Sequence, residues 1–256
     1  MPASEALSSV DPADIARFEA IGEDWWDPSG SMRALHHINP LRIAWLRDRM
    51  TRHFRRSRPP SALPLEGLAI LDVGCGAGLL AEPLSRLGAD VTGLDPAPGN
   101  IEVARRHAAE TGAKVRYRAA TVEQLSSEDA SFDVVLAMEV VEHVGDMPRF
   151  VRTAGALVRP GGLFAASTLN RTLRSFALAI IGAEYVLRWL PRGTHRWEQF
   201  VTPDELKDAL RSAGLTQTAR TGIVYDPFSA AWRLASDVGV NYMIAATRPY
   251  LAGQSF

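Results

Sequence analysis

A single cysteine, Cys75, in 256 residues excludes a disulfide framework and fits a reducing compartment. Set between two glycines, it reads as a small packing residue before it reads as a reactive thiol. An excess of charge of either sign is also missing. The 28 lysines and arginines stand against 29 acids, and a net charge of −1 leaves no basic footprint for nucleic acid. No basic face studded with aromatics is apparent, which further disfavours a nucleic-acid partner. No apolar run reaches the ~20 residues of a spanning helix. Met1 to Val10 is small and polar, without the basic-then-apolar pattern of a leader. The expectation is a cytoplasmic protein, at most lying on a membrane.

What is present is a glycine turn between apolar strands. Ala69–Val73 is a short apolar run carrying one acid and reads as a buried parallel strand. Gly74, Gly76 and Gly78 follow at alternate positions, and Leu79-Leu80-Ala81 opens an amphipathic helix. Glycine suits such a turn because it accepts positive φ and lets a ligand lie on bare backbone. The Gly-x-Gly-x-Gly spacing differs from the Gly-x-Gly-x-x-Gly of dinucleotide binders, so the expected ligand lacks a pyrophosphate. The next strand ends at Asp95, where an acid can accept hydrogen bonds from both ribose hydroxyls. Turn, strands and acid together resemble the S-adenosylmethionine site of a class I methyltransferase.

From Leu68 onward strands and helices alternate, the pattern of a Rossmann-like α/β fold. Strands are expected at Ala69–Val73, Asp90–Leu94, Lys114–Arg118, Phe132–Met138 and Leu163–Ser167, the last entered by a tight turn at Arg159–Gly162. Helices are expected at Leu79–Leu87, Asn100–Thr111 and Met147–Val158, with one helical turn at Thr121–Leu125. A capped helix from Thr202 to Ala213 precedes two last strands, Leu215–Thr221 and Val240–Thr247. These complete a mostly parallel, seven-stranded sheet with helices on both faces. Residues 1–64 read as an N-terminal helical lid and linker, and 65–256 as the catalytic domain. Within the lid, Asp14–Ile21 has helical spacing. Trp25-Trp26 either caps a core or lines an apolar site. A second helix is expected from Leu41, with Asn39 as N-cap and Pro40 in the first turn, burying Ile43, Leu46 and Met50. The basic stretch Arg47–Arg58 reads as a solvated helix end and linker rather than an anion site.

Segments outside the glycine turn are more specific. Trp25-Trp26-Asp27, Leu35–Arg42, Met138–Val144, Gly182–Tyr185 and Pro191–His195 closely resemble the ubiquinone-biosynthesis O-methyltransferases, and the resemblance extends from about Ile15 to Thr247. Ala77, where that family often carries glycine, and the long Arg55–Pro64 depart from it. The resemblance implies methylation of hydroxyls on 2-polyprenyl-6-hydroxyphenol and 3-demethylubiquinol. It implies that Arg42, Gly74, Asp95 and Met138 hold S-adenosyl-L-methionine, with Gly76 in the same turn. Arg42 would pair with the methionine carboxylate. Met138 would pack on the adenine or the sulfonium, or else simply fill the core. Magnesium dependence, and other enzymes of ubiquinone biosynthesis as partners, are implied in the same way.

Glu139, Glu142 and His143 stand at i, i+3 and i+4 just after the fourth strand. On a helical turn all three share a face, at the carboxyl end of the sheet where open α/β folds place ligands. One reading makes them ligands of a divalent cation, although magnesium prefers oxygen and an imidazole serves it imperfectly. Another makes His143 a general base oriented by a glutamate. A plain helix cap is the third. Last, residues 170–196 form an insertion whose apolar centre, Phe176–Leu190, is too short to span a bilayer. Arg171, Arg174, Arg188, Arg192 and Arg196 flank or punctuate it, which suits a helix lying on the anionic inner membrane face, or a lid over the site. Two other functions fit the same residues: a class I methyltransferase for another small phenol or ring carbon, and a lipid-associated cofactor-binding protein without turnover.

Overall fold

The computed structural model describes residues 10–54, 63–177, 197–226, 229 and 231–250. Eight strands form one sheet: β1 (Ala69–Val73), β2 (Asp90–Asp95), β3 (Val115–Ala119), β4 (Phe132–Met138), β5 (Val158–Leu169), β6 (Thr216–Asp226), β7 (Ala231–Ala235) and β8 (Asn241–Thr247). Their order is β3-β2-β1-β4-β5-β8-β6-β7; the first five are mutually parallel, and β8 runs antiparallel between β5 and β6. The helices are α1 (Pro12–Glu19), α2 (Arg33–His53), α3 (Ala81–Arg86), α4 (Pro98–Thr111), α5 (Val122–Ser126), α6 (Met147–Ala156), the single turn α7 (Leu173–Ser175) and α8 (Pro203–Ser212).

Strand side chains alternate between faces, so a sheet covered on both sides needs apolar residues at consecutive positions. In β1 and β4 this is observed. Ile70, Val134 and Leu136 pack with Trp45, Leu84 and Ile101 from α2, α3 and α4. Leu71, Val135 and Ala137 pack with Phe150, Leu206 and Leu210 from α6 and α8. The expected seven strands become eight because Ala231–Ala235 pairs with the end of β6. That segment is five residues long and follows a proline and a serine, so the sequence gives it no clear strand signal. The tight turn expected at Arg159–Gly162 is instead a bulge within β5. Gly161 takes φ +77°, and the pairing register with β4 shifts between Phe132 and Val134.

One helix start is corrected. Asn39 does not cap a helix beginning at Leu41; α2 starts at Arg33 and runs through Pro40. A proline inside a helix forfeits one backbone hydrogen bond, at about 3 kcal/mol or more. Burial on both sides of it overrides that loss, since Ile38, Arg42, Trp45, Leu46 and Met50 all lie on the buried face. Ile43 is only partly buried and Trp45 takes the place expected for it. Asn39 turns its amide to the Leu79 carbonyl at 3.2 Å, tying α2 to the glycine turn. The centre of the expected membrane or lid insertion, from residue 178 to residue 196, lies outside the described residues, as does the linker 55–62. Among the described residues no helix is long and apolar enough to cross a membrane.

Candidate functional site

The turn after β1 is braced before any ligand arrives. The backbone amides of Gly74 and Cys75 both donate to the Leu94 carbonyl, at 2.7 and 3.0 Å, and this joins the turn to the end of β2. Gly74 and Gly76 take φ of +69° and +52°. Side chains are excluded there by space as well as by conformation. A Cβ on Gly74 would lie 2.5 Å from Val140, and one on Gly76 would lie 2.7 Å from the Trp25 ring. Asp95 is buried, and its two carboxylate oxygens accept from Gly76 N and Ala97 N, both at 2.9 Å. Asn100 adds a third bond at 3.3 Å and in turn accepts from the Trp25 indole at 3.1 Å. Burial raises the Asp95 pKa, and these hydrogen bonds work against that rise.

The tryptophan pair does both things the sequence left open. Trp25 is buried in a small cluster with Met32, Ala77 and Leu79, and it also lines the cavity above the turn. Trp26 stacks on His107 with ring centroids 3.5 Å apart and donates to the Ala77 carbonyl at 3.0 Å. Together with the bond from Gly99 N to Glu19 at 2.7 Å, these contacts fasten the N-terminal arm across the open end of the sheet.

All eight residues singled out from the sequence line one cavity of about 620 Å³. Gly74, Gly76 and Asp95 form its β1–β2 end, and Met138, Glu139, Glu142 and His143 stand at β4 with Arg42 across from them. The trio does not share one helical face, however. Glu139 adopts φ +57°, and the only helical turn here is a 3₁₀ turn over Val141–His143. Glu139 therefore points to Arg42, whose Nη2 lies 2.5 Å from Oε1, and the same oxygen accepts from Ser167 at 2.6 Å. A non-glycine residue held at positive φ is strained by about 1–3 kcal/mol, and such strain gathers at functional sites. Glu142 is 2% exposed and its oxygens meet no donor at good hydrogen-bond geometry, the Thr168 hydroxyl being the polar neighbour. Burial first, and the Glu139 charge second, push its pKa well above the carboxylate range.

His143 is oriented by a residue near the start of the chain, 129 positions away. Its Nδ1 lies 3.3 Å from Asp14 Oδ2 of α1, and Phe18 of the same helix packs edge-on at 5.1 Å. A carboxylate only accepts, so the ring proton belongs on Nδ1 and Nε2 is the basic nitrogen. The partner expected for His143 was a glutamate. A buried aspartate takes its place, because Glu139 is engaged with Arg42 and Ser167. A bridge between Val10 and Val144 holds α1 beside this turn.

A methyltransferase-domain family model matches residues 36–219. The chain is 63% identical to a ubiquinone biosynthesis O-methyltransferase of Methylobacterium nodulans, over 94% of this chain and 96% of that one. A second relative of the same description, from Methylocella silvestris, is 62% identical over the same shares of the two chains. The chain belongs to the ubiquinone biosynthesis O-methyltransferases. In fold it is similar to magnesium protoporphyrin IX methyltransferase from Synechocystis, solved with S-adenosylhomocysteine bound. The TM-score is 0.59 and the identity 20%, over 82% of this chain and 81% of that one.

Within the family, the expected magnesium site is not assembled here. Among the described residues no three His, Cys, Asp or Glu side chains converge as metal ligands. Glu139 is committed to Arg42 and Ser167, Glu142 is buried, and His143 faces Asp14. A hard cation needs several charged or water oxygens around one point, and the three side chains as placed do not fit one. Arg42 is likewise placed in the wall but paired with Glu139, not left open for the carboxylate it was expected to meet.

Asp14 and Asp72 are functional candidates the sequence reading did not assign. Nothing local marks Asp14, whose contact lies 129 residues away in the chain. Asp72 did carry a signal, as the one acid in an apolar strand. It is 2% exposed, lines the cavity and leaves Oδ2 without a partner. Burial, and then the charge of Asp95, push its pKa from 3.8 up to about 7. The native chain then keeps a proton that the unfolded chain releases, so stability is full below pH ~4 and is lost as pH rises towards 7. Asp72→Asn should flatten that slope. A shift of about three units corresponds to at most ~4 kcal/mol in favour of the variant at pH 8, and to nothing at pH 3. Urea unfolding at the two pH values checks this, and equal differences at both would contradict it.

Proposed function

We propose that this protein transfers the methyl group of S-adenosylmethionine to hydroxyls of 2-polyprenyl-6-hydroxyphenol and 3-demethylubiquinol, with His143 as the base. The observation that carries the reading is the Asp14–His143 pair in the wall of the cavity that also holds Asp95 and the glycine turn. S-adenosylmethionine supplies a good leaving group, so no covalent enzyme intermediate is required. The chain's own tasks are to bind, to align and to take one proton.

Asp95 and the bare backbone of Gly74 and Gly76 suit a ribose and its neighbouring atoms, and the unpartnered oxygen of Asp72 suits a cationic group. Arg42 suits the methionine carboxylate if it exchanges Glu139 for it. Met138, partly buried at the end of β4, packs against the core cluster and also lines the cavity, so its open side suits the adenine or the sulfonium. A phenol has a pKa near 10, like tyrosine's, and must lose its proton as it attacks. Of the three candidate groups, Glu142 favours its protonated form and Glu139 is held by Arg42 and Ser167. His143 remains, in the tautomer that makes Nε2 basic. In-line alignment in an enclosed cavity supplies much of the remaining acceleration.

The same proposal places the enzyme on an anionic membrane, because a polyprenyl substrate is dissolved in lipid. In support, Leu173 is 81% exposed and Phe176 39% at the start of the insertion. Arg171 and Arg174 do not add free charge there, since they pair with Glu205 and Asp237. One experiment tests both parts: mass spectrometry of long-tailed demethylubiquinol offered in anionic vesicles, in neutral vesicles and in detergent. The O-methyl product should form in all three, fastest on anionic vesicles and less so with added salt. Unmodified or ring-methylated quinol would contradict the function, and equal rates on the two vesicle types would contradict the membrane reading.

A further inference from the structure

We propose that the β6–β7 hairpin and α2 form a subsite for the isoprenoid tail, with Trp232 and Tyr225 selecting tailed over tailless substrates. This rests on the reading above that the substrate is a prenylated phenol. The cavity does not stop at His143. It continues along the carboxyl edge of the sheet past Leu169 of β5 and Val240 beside β8, to Ile223, Tyr225 and Trp232.

The hairpin is built to stand over that end. β6 pairs with β8 only over Thr216–Thr221, then leaves the sheet, and Gly222–Asp226 pairs with β7 alone. The Asn241 side chain accepts from Ile223 N at 2.9 Å and pins the point of departure. Tyr225 and Trp232 face one another across the two strands with ring centroids 5.3 Å apart. Trp232 and Leu234 pack inward on the cluster containing Ile38 and Trp45 of α2, while Tyr225 is 45% exposed at the mouth.

The chemistry of this end suits an apolar occupant. Its charged side chain, Arg174, is paired with Asp237 at 2.6 Å. The Asn241 carboxamide oxygen is taken up by Ile223 N, and the rest of the wall is apolar or aromatic: Ile38, Leu169, Ile223, Tyr225, Trp232 and Val240. The phenol oxygen must face the β1–β4 end, where the methyl donor binds, so a substituent on the ring has to leave the other way. A hydrocarbon chain laid on this wall loses water contact over its length, which favours binding in proportion to the area covered. The half-exposed Tyr225 marks where a longer chain passes out towards lipid.

The test compares kcat/KM for demethylquinols bearing a short isoprenoid tail or a methyl group in its place, in wild type, Trp232→Ala and Tyr225→Ser. In each variant the ratio of tailed to tailless kcat/KM should fall about tenfold, through KM of the tailed compound. Tyr225→Ser, at an exposed position, carries the test if Trp232→Ala does not fold. An unchanged ratio in a folded variant, or equal loss for both compounds, overturns the subsite while leaving the methyltransferase reading intact. Failure of wild type to methylate either compound overturns the functional reading and the subsite with it.

Discussion

His143→Ala should lower turnover by roughly 10²–10⁴-fold, the span a positioned acid or base contributes, while affinity for S-adenosylmethionine changes little. The imidazole follows β4 whereas Asp95 ends β2, so on the proposed reading His143 serves the acceptor and the donor's hold at Asp95 is kept. Asp14→Asn should lose part of the same effect, because it removes the charge that fixes the ring's tautomer, and Asp14→Glu should recover some of it. Single-turnover rates beside calorimetric donor affinities separate the two quantities. Equal losses in both for His143→Ala would mean a structural role. Addition of a chelator should leave the wild-type rate unchanged, since the trio as placed does not fit a cation.

Asp95→Ala should have the largest effect on donor binding. Three groups use this carboxylate in the structure: Gly76 N, Ala97 N and the Asn100 amide. The side chain therefore shapes the turn, and on the proposed reading it also presents charge to the ribose. Each charge-assisted hydrogen bond contributes on the order of 1.5–3 kcal/mol. Loss of one ribose contact alone is then about 10–150-fold in affinity, and the loosened turn adds to it. Thermal unfolding should also shift down, since two backbone donors are left in a buried position without an acceptor. Calorimetry on the folded variant checks this, and unchanged affinity would remove Asp95 from the donor site.

Much of this was legible in the chain because it is local. β1 and β4 fall at their expected bounds, as buried parallel strands announce themselves by continuous apolar runs. Gly74, Gly76 and Asp95 were legible because turn chemistry fixes both conformation and spacing. What was not legible depends on partners distant in sequence. Asp14 meets His143, and Arg42 meets Glu139, at sequence separations of 129 and 97 residues. Pro40 misled because a local rule, that proline opens a helix, lost to burial on both sides of it. The strand Ala231–Ala235 was missed because it is short and its partner, Gly222–Asp226, lies beyond the strand expected at Leu215–Thr221. Glu139, Glu142 and His143 were rightly grouped into one cavity. Their mutual geometry could not follow from spacing, because a positive φ at Glu139 redirects the first of them.

The central claim is that His143 removes the proton of the phenol. It is tested most directly by rates on a series of short-tailed demethylquinols whose ring substituents grade the acidity of the reacting hydroxyl, with chelator present. A base spares the substrate part of the cost of ionising alone, so wild type should depend only weakly on that acidity. His143→Ala should depend on it steeply, and its deficit should shrink as the phenol becomes more acidic. Parallel dependences in the two proteins, with the same deficit at every acidity, would contradict the account.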